Sequence, residues 1–152
     1  MVQIPDGTAE GLIRLNLRPG SVFRFAHGPF STPVPHLFVV LNHSPLSDPE
    51  LVMVHATSNI AGARRRCASR PGTLVELTPS DYPDFTQPLS AIDCGMVTAA
   101  TAHELAEKFA RNELGLCADM DPAVVARLRT AVLASSTVER KYQKMLMEQE
   151  QR

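Results

Sequence analysis

The chain has 152 residues, 44% of them hydrophobic and 20% charged, with a formal net charge of −1. That length and balance describe one soluble globular domain, able to bury roughly two-thirds of its unfolded surface. The near-zero charge excludes a global field that gathers polyanions or membranes, so any polyanion site has to be a local patch.

The opening Met1-Val2-Gln3-Ile4-Pro5-Asp6 lacks the basic-then-apolar pattern of a signal peptide, and no apolar run reaches the roughly twenty residues of a membrane helix. The three cysteines, Cys67, Cys94 and Cys117, are odd in number and far apart, which argues against a disulfide framework and for a reducing cytoplasm. No close Cys or His pair has ligand spacing, so neither a metal site nor a cofactor is expected. Thr8 to Leu17 reads equally as a short strand or a helical turn. Arg18-Pro19-Gly20 is a turn, after which Val22 and Arg24 alternate with Phe23 and Phe25 as in a half-buried strand. Ala26 to Pro35 holds three prolines and a glycine, so it is a shape-restricted loop. With His27, Phe30, Ser31 and Thr32 it is a candidate ligand rim.

The next segments organise the chain. Pro35-His36-Leu37-Phe38-Val39-Val40-Leu41-Asn42-His43 and Glu50 to Ser58 are apolar runs bounded by Pro, Ser, Asn and Asp, the pattern of buried strands. The short Ser44 to Pro49 linker between them predicts an antiparallel hairpin. His36, His55, Thr57 and Ser58 stand where these strands begin or end, the natural place for chemistry. Arg64-Arg65-Arg66 follows as a basic cluster on an expected loop, suited to phosphate recognition because guanidinium groups hydrogen-bond phosphate well. Strands are expected at Thr73–Leu77 and, as the last, at Leu89–Cys94, where Ser90 and Asp93 border the groove or cap the strand.

Helices come next. Thr101 and Glu104 form a capping box, Ala102, Leu105, Ala106 and Phe109 share a face, and Gly115 is the expected stop. Asp121-Pro122 opens a second helix. Its apolar stripe runs through Val124, Leu128 and Val132 to Val138, Tyr142, Met145 and Leu146, with an interruption at Ser135-Ser136-Thr137. Strands followed by helices predict an α+β fold.

The Pro-Gly turn at Arg18–Phe23, the Gly/Pro loop, the apolar strand after a Pro-bearing dipeptide and the strand ending in Thr57-Ser58 together resemble the MazF/PemK-like toxins. These are SH3-like barrels of toxin–antitoxin systems that cut single-stranded RNA. The resemblance spans about Arg18 to Cys94. It implies a small SH3-like antiparallel β-barrel over residues 1–98 with a helical extension over 99–152. It also implies a metal-independent endoribonuclease, a homodimer and an antitoxin partner. Carried over residue by residue, it assigns Thr57 and Ser58 to catalysis; the residues themselves add His36 as a catalytic candidate and His27, His55, Arg64, Arg65 and Arg66 as candidates for substrate binding. One departure stands out: the family's Arg-Pro at the strand opening is replaced here by Pro35-His36. Either His36 takes over that role, since imidazole titrates near neutrality, or the chain is a non-catalytic barrel that binds a protein or nucleic acid.

Overall fold

A computed structural model describes residues 6–27 and 34–147. The chain order is α1 (Asp6–Leu15), β1 (Val22–Phe25), β2 (His36–Val40), β3 (Leu51–Thr57), α2 (Ile60–Cys67), β4 (Leu74–Leu77), β5 (Ser90–Asp93), β6 (Thr98–Ala100), α3 (Ala102–Ala110), β7 (Leu114–Cys117), α4 (Pro122–Leu133) and α5 (Arg140–Leu146). The seven strands pair antiparallel in the order β4-β5-β3-β2-β1-β7, with β6 also on β3. The fold is therefore α+β. Among the described residues its strand path is open, with β4 at one end and β7 at the other.

Alternation along the strands sends side chains into two cores. Val22, Val39, Val54 and Ile92 meet Leu128 and Val132 of α4 and Leu146 of α5. Phe23, Phe25, Phe38 and Met53 meet Ile13 of α1 and Leu105 of α3. A sheet covered on both faces demands near-continuous apolar strands, which is why β2 and β3 read as unbroken runs. Each fully buried side chain of this size contributes about 1.5–3 kcal/mol. Asn42, itself buried, locks the β2–β3 connection: Nδ2 donates to Asp48 Oδ2 (2.8 Å) and Glu50 O (3.0 Å), and Oδ1 accepts from Val52 N (2.7 Å).

Several expectations change. The ambiguous Thr8–Leu17 stretch is mostly helix, because Ala9, Ile13 and Leu17 fall on one buried face. Val22 is as buried as the phenylalanines, so of β1 only Arg24 reaches solvent. The three arginines lie on α2 rather than a loop, since Asn59 caps that helix through a 3.1 Å bond from Gly62 N. The Leu89–Cys94 strand is not the last, as β6 and β7 follow. Gly115 sits within β7 opposite Arg24, and α3 ends instead at Arg111, followed by Asn112 at φ 59°. The C-terminal third thus supplies a strand as well as helices. Both helix openings hold: Thr101 and Glu104 form the capping box, and Asp121 caps α4. At Gly20 the φ of 88° and the Met120 carbonyl, 2.9 Å from where a Cβ would stand, leave room for glycine alone.

Candidate active site

A cleft of about 490 Å³ opens where β1, β2 and β3 end, closed on its far side by the loop before β5. His36, Thr57 and Ser58 line it, joined by Arg24, Asp84, Thr86, Gln87, Ser90 and Cys117. The hairpin register brings His36 to the strand end beside Thr57, because Phe38 pairs with His55 and Val39 with Val54. The three residues assigned to catalysis from sequence therefore share one concavity.

His36 is held by its Nδ1, 3.2 Å from the Ala56 carbonyl. A carbonyl can only accept, so Nδ1 carries the proton and, in the neutral ring, Nε2 is the basic nitrogen. Thr57 Oγ1 accepts from Asn59 N at 3.1 Å, which leaves its own proton to donate elsewhere. Ser58 is exposed at the rim.

His55 and His27 belong to the opposite face of the sheet. Their rings lie 5.6 Å and 6.1 Å from that of Phe38, and His36 meets His55 at 5.3 Å. Burial, then the neighbouring His36, pushes the His55 imidazole down to about 4. Burial, then Lys108, lowers His27 as well. Both are neutral at physiological pH and form part of an imidazole–aromatic cluster rather than the cleft lining. Phe30, Ser31 and Thr32 of the proposed rim lie outside the described residues.

Arg64, Arg65 and Arg66 stand in the last turn of α2, away from the end that adjoins Ser58. Arg64 grips Glu76 with two bonds (2.7 and 2.9 Å), and Arg66 reaches Asp93 at 3.4 Å. Asp93 is buried and also takes Arg70 at 3.5 Å and Gly95 N at 2.9 Å, so its role is structural. Arg65 makes no ion pair among the described residues. Of the two residues placed near the groove, Ser90 lines it and Asp93 does not.

Sequence reasoning missed Arg24 and Asp84. Arg24 had a signal: a lone charge in the strand Val22-Phe23-Arg24-Phe25, which has to emerge from an otherwise buried element. Asp84 lies in a proline-rich connector whose path no local pattern fixes.

Cysteine chemistry is disfavoured. Burial raises the Cys117, Cys67 and Cys94 thiols, so none is a thiolate at neutral pH. No group of three or more His, Cys, Asp or Glu among the described residues could hold a metal ion. No helix there is long and apolar enough to cross a membrane. A second concavity between α1 and α3 is lined by Glu10, Arg14 and His103, where the Glu10 carboxylate already holds Arg14 at 3.2 Å and His103 at 3.1 Å.

No known family's sequence profile matches the chain, and no curated protein sequence matches it significantly. Among solved structures, the chain is similar to an endoribonuclease from a mycobacterial species, solved in complex with its cognate antitoxin. The likeness has a TM-score of 0.51 at 18% identity and covers 78% of this chain and 93% of that one. The two chains share a fold.

Proposed function

We propose that this chain is the endoribonuclease of a toxin–antitoxin pair, cutting single-stranded RNA in the cleft without a metal ion. The observation that carries this reading is the meeting of His36, Thr57 and Ser58 in one open cleft. The fold shared with an antitoxin-bound endoribonuclease supports it. In this reading the curled sheet acts as an SH3-like barrel, the protein works in the cytoplasm as a homodimer, and the antitoxin covers the cleft.

The chemistry follows from the side chains. The RNA 2′-hydroxyl attacks the adjacent phosphorus and gives its proton to Nε2 of His36. The bond from phosphorus to the 5′-oxygen breaks, and that oxygen, on the far side of the phosphorus, takes a proton from water while the imidazolium releases its own to solvent. The products are a 2′,3′-cyclic phosphate and a 5′-hydroxyl. Thr57 and Ser58 donate to the phosphoryl oxygens and hold the phosphate in line. A positioned acid–base group of this kind is worth about 10²–10⁴ in rate.

The test is induced expression of wild type beside His36→Ala and Thr57→Val, with growth and total-RNA ends as readouts. Wild type should arrest growth and leave 5′-hydroxyl ends. Both variants, folded to the same melting temperature, should lose at least a hundredfold in cleavage. A soluble, folded wild type that leaves RNA intact would make the cleft a binding groove, the non-catalytic alternative.

A further inference from the structure

We infer that Arg24 is a catalytic residue of this cleft, the guanidinium that neutralises charge on the non-bridging oxygens of the scissile phosphodiester. The inference rests on the ribonuclease reading above and fills the gap left by Pro35-His36, where that chemistry calls for a cation. As the 2′-oxygen attacks, negative charge accumulates on the phosphoryl oxygens. A planar guanidinium matches two of them with parallel donors and stays charged at any working pH.

Three features select Arg24. It is the permanent cation among the described cleft-lining residues. Its place is fixed by the β1–β2 register, in which Arg24 faces Leu37 and Phe25 faces His36. Adjacent strands run about 4.8 Å apart; Arg24 leaves the sheet on the Leu37 face and His36 on the Phe25 face, and both side chains line the cleft at the strand ends. Finally, Arg24 is exposed and makes no ion pair among the described residues. Arg64 and Arg66, by contrast, are already satisfied by Glu76 and Asp93.

The local charges agree with this placement. Burial raises the Cys117 thiol most, Asp84 adds to that and Arg24 opposes it. Both charges therefore act on this cleft, and they are not bridged to each other. Arg24 remains available to an incoming phosphate, while Asp84 repels one. The phosphodiester is thereby directed to the β1–β2 side, beside His36. Val22, two residues back on the same face, is 1% exposed in the core, so that face turns from packing to solvent at Arg24.

An arginine that merely solvates the sheet would be replaceable at no cost to the reaction. The test uses purified Arg24→Gln and Arg24→Lys with a labelled mixed-sequence RNA oligonucleotide. The all-DNA oligonucleotide, which lacks the attacking hydroxyl, serves as a binding probe. Arg24→Gln should lower single-turnover cleavage about 10²–10³-fold. It should weaken DNA-probe binding only a few-fold, with an unchanged melting temperature. Arg24→Lys should recover part of the rate. Cleavage by Arg24→Gln within threefold of an active wild type would overturn the assignment while leaving the ribonuclease standing. So would a rate loss no larger than the loss in probe binding. A wild type that cleaves nothing would remove both.

Discussion

The two faces of the sheet carry similar polar side chains at the same strand ends and treat them in opposite ways. On the face toward α1 and α3, His27 and His55 sit against Phe38, and burial strips them of charge. On the other face, core residues give way to Arg24, and Thr57, Ser58 and Asp84 line an open cleft with it at the strand ends. His36 touches both: its ring abuts His55, yet it lines the cleft. A histidine in a strand is therefore not a functional signal in itself. What separates the two faces is whether the phenylalanines or the loop before β5 cover the strand ends.

The contrast can be broken most strongly at Phe38, which is fully buried and stacks on Phe25 at 4.1 Å. Phe38→Ala should cost about 3–5 kcal/mol, because it removes transfer energy and leaves a cavity. Chemical denaturation measures the loss. A change below about 1 kcal/mol would mean that this face is not a packed core.

The next effect concerns pH. His55 titrates near 4 when folded, against 6.5 for an exposed imidazole. Between those values the unfolded chain binds more protons than the folded one, so stability falls as pH drops from about 6.5 towards 4. Each unit of the shift corresponds to about 1.4 kcal/mol, giving a loss approaching 3 kcal/mol at the acid end. His27 adds to it in the same direction. His55→Gln should flatten the denaturation profile between pH 7 and 4.5. An identical slope in the variant would show that the imidazole is not kept neutral by the fold.

Much of the fold was legible in the sequence because its strongest signals are local. The hairpin announced itself through two apolar runs and a Pro/Ser/Asp linker, and the caps at Thr101 and Asp121 are short-range hydrogen bonds that the sequence writes out. What stayed hidden depends on distant partners. Leu114-Gly115-Leu116-Cys117 is too short and too glycine-interrupted to read as a strand until β1 offers an edge to pair with. Asn59 as a cap was overlooked because three arginines dominate the segment that follows. For the cleft, strand-end logic found His36, Thr57 and Ser58. The same logic named His55, which packs against Phe38 and does not line the cleft. Arg24 needed the register, which pairs it with Leu37.

The smallest expected effect sharpens the comparison at α2. Arg64 and Arg66 spend their charge on Glu76 and Asp93, whereas Arg65 is exposed and unpaired among the described residues. The Arg64–Glu76 pair is itself exposed, so breaking it should change stability by no more than about 1 kcal/mol. A cation already held by a carboxylate releases few counterions on meeting a phosphate, while an unpaired one releases its full share. Arg65→Ala should therefore lower the slope of log affinity against log salt for the all-DNA probe by about 0.7, the value of one single-strand phosphate contact. Arg64→Ala should leave that slope nearly unchanged. If Arg65→Ala also leaves it unchanged, the strand does not cross α2. The only arginine run in the sequence would then be a solvated helix end, and phosphate recognition would fall to the lone Arg24.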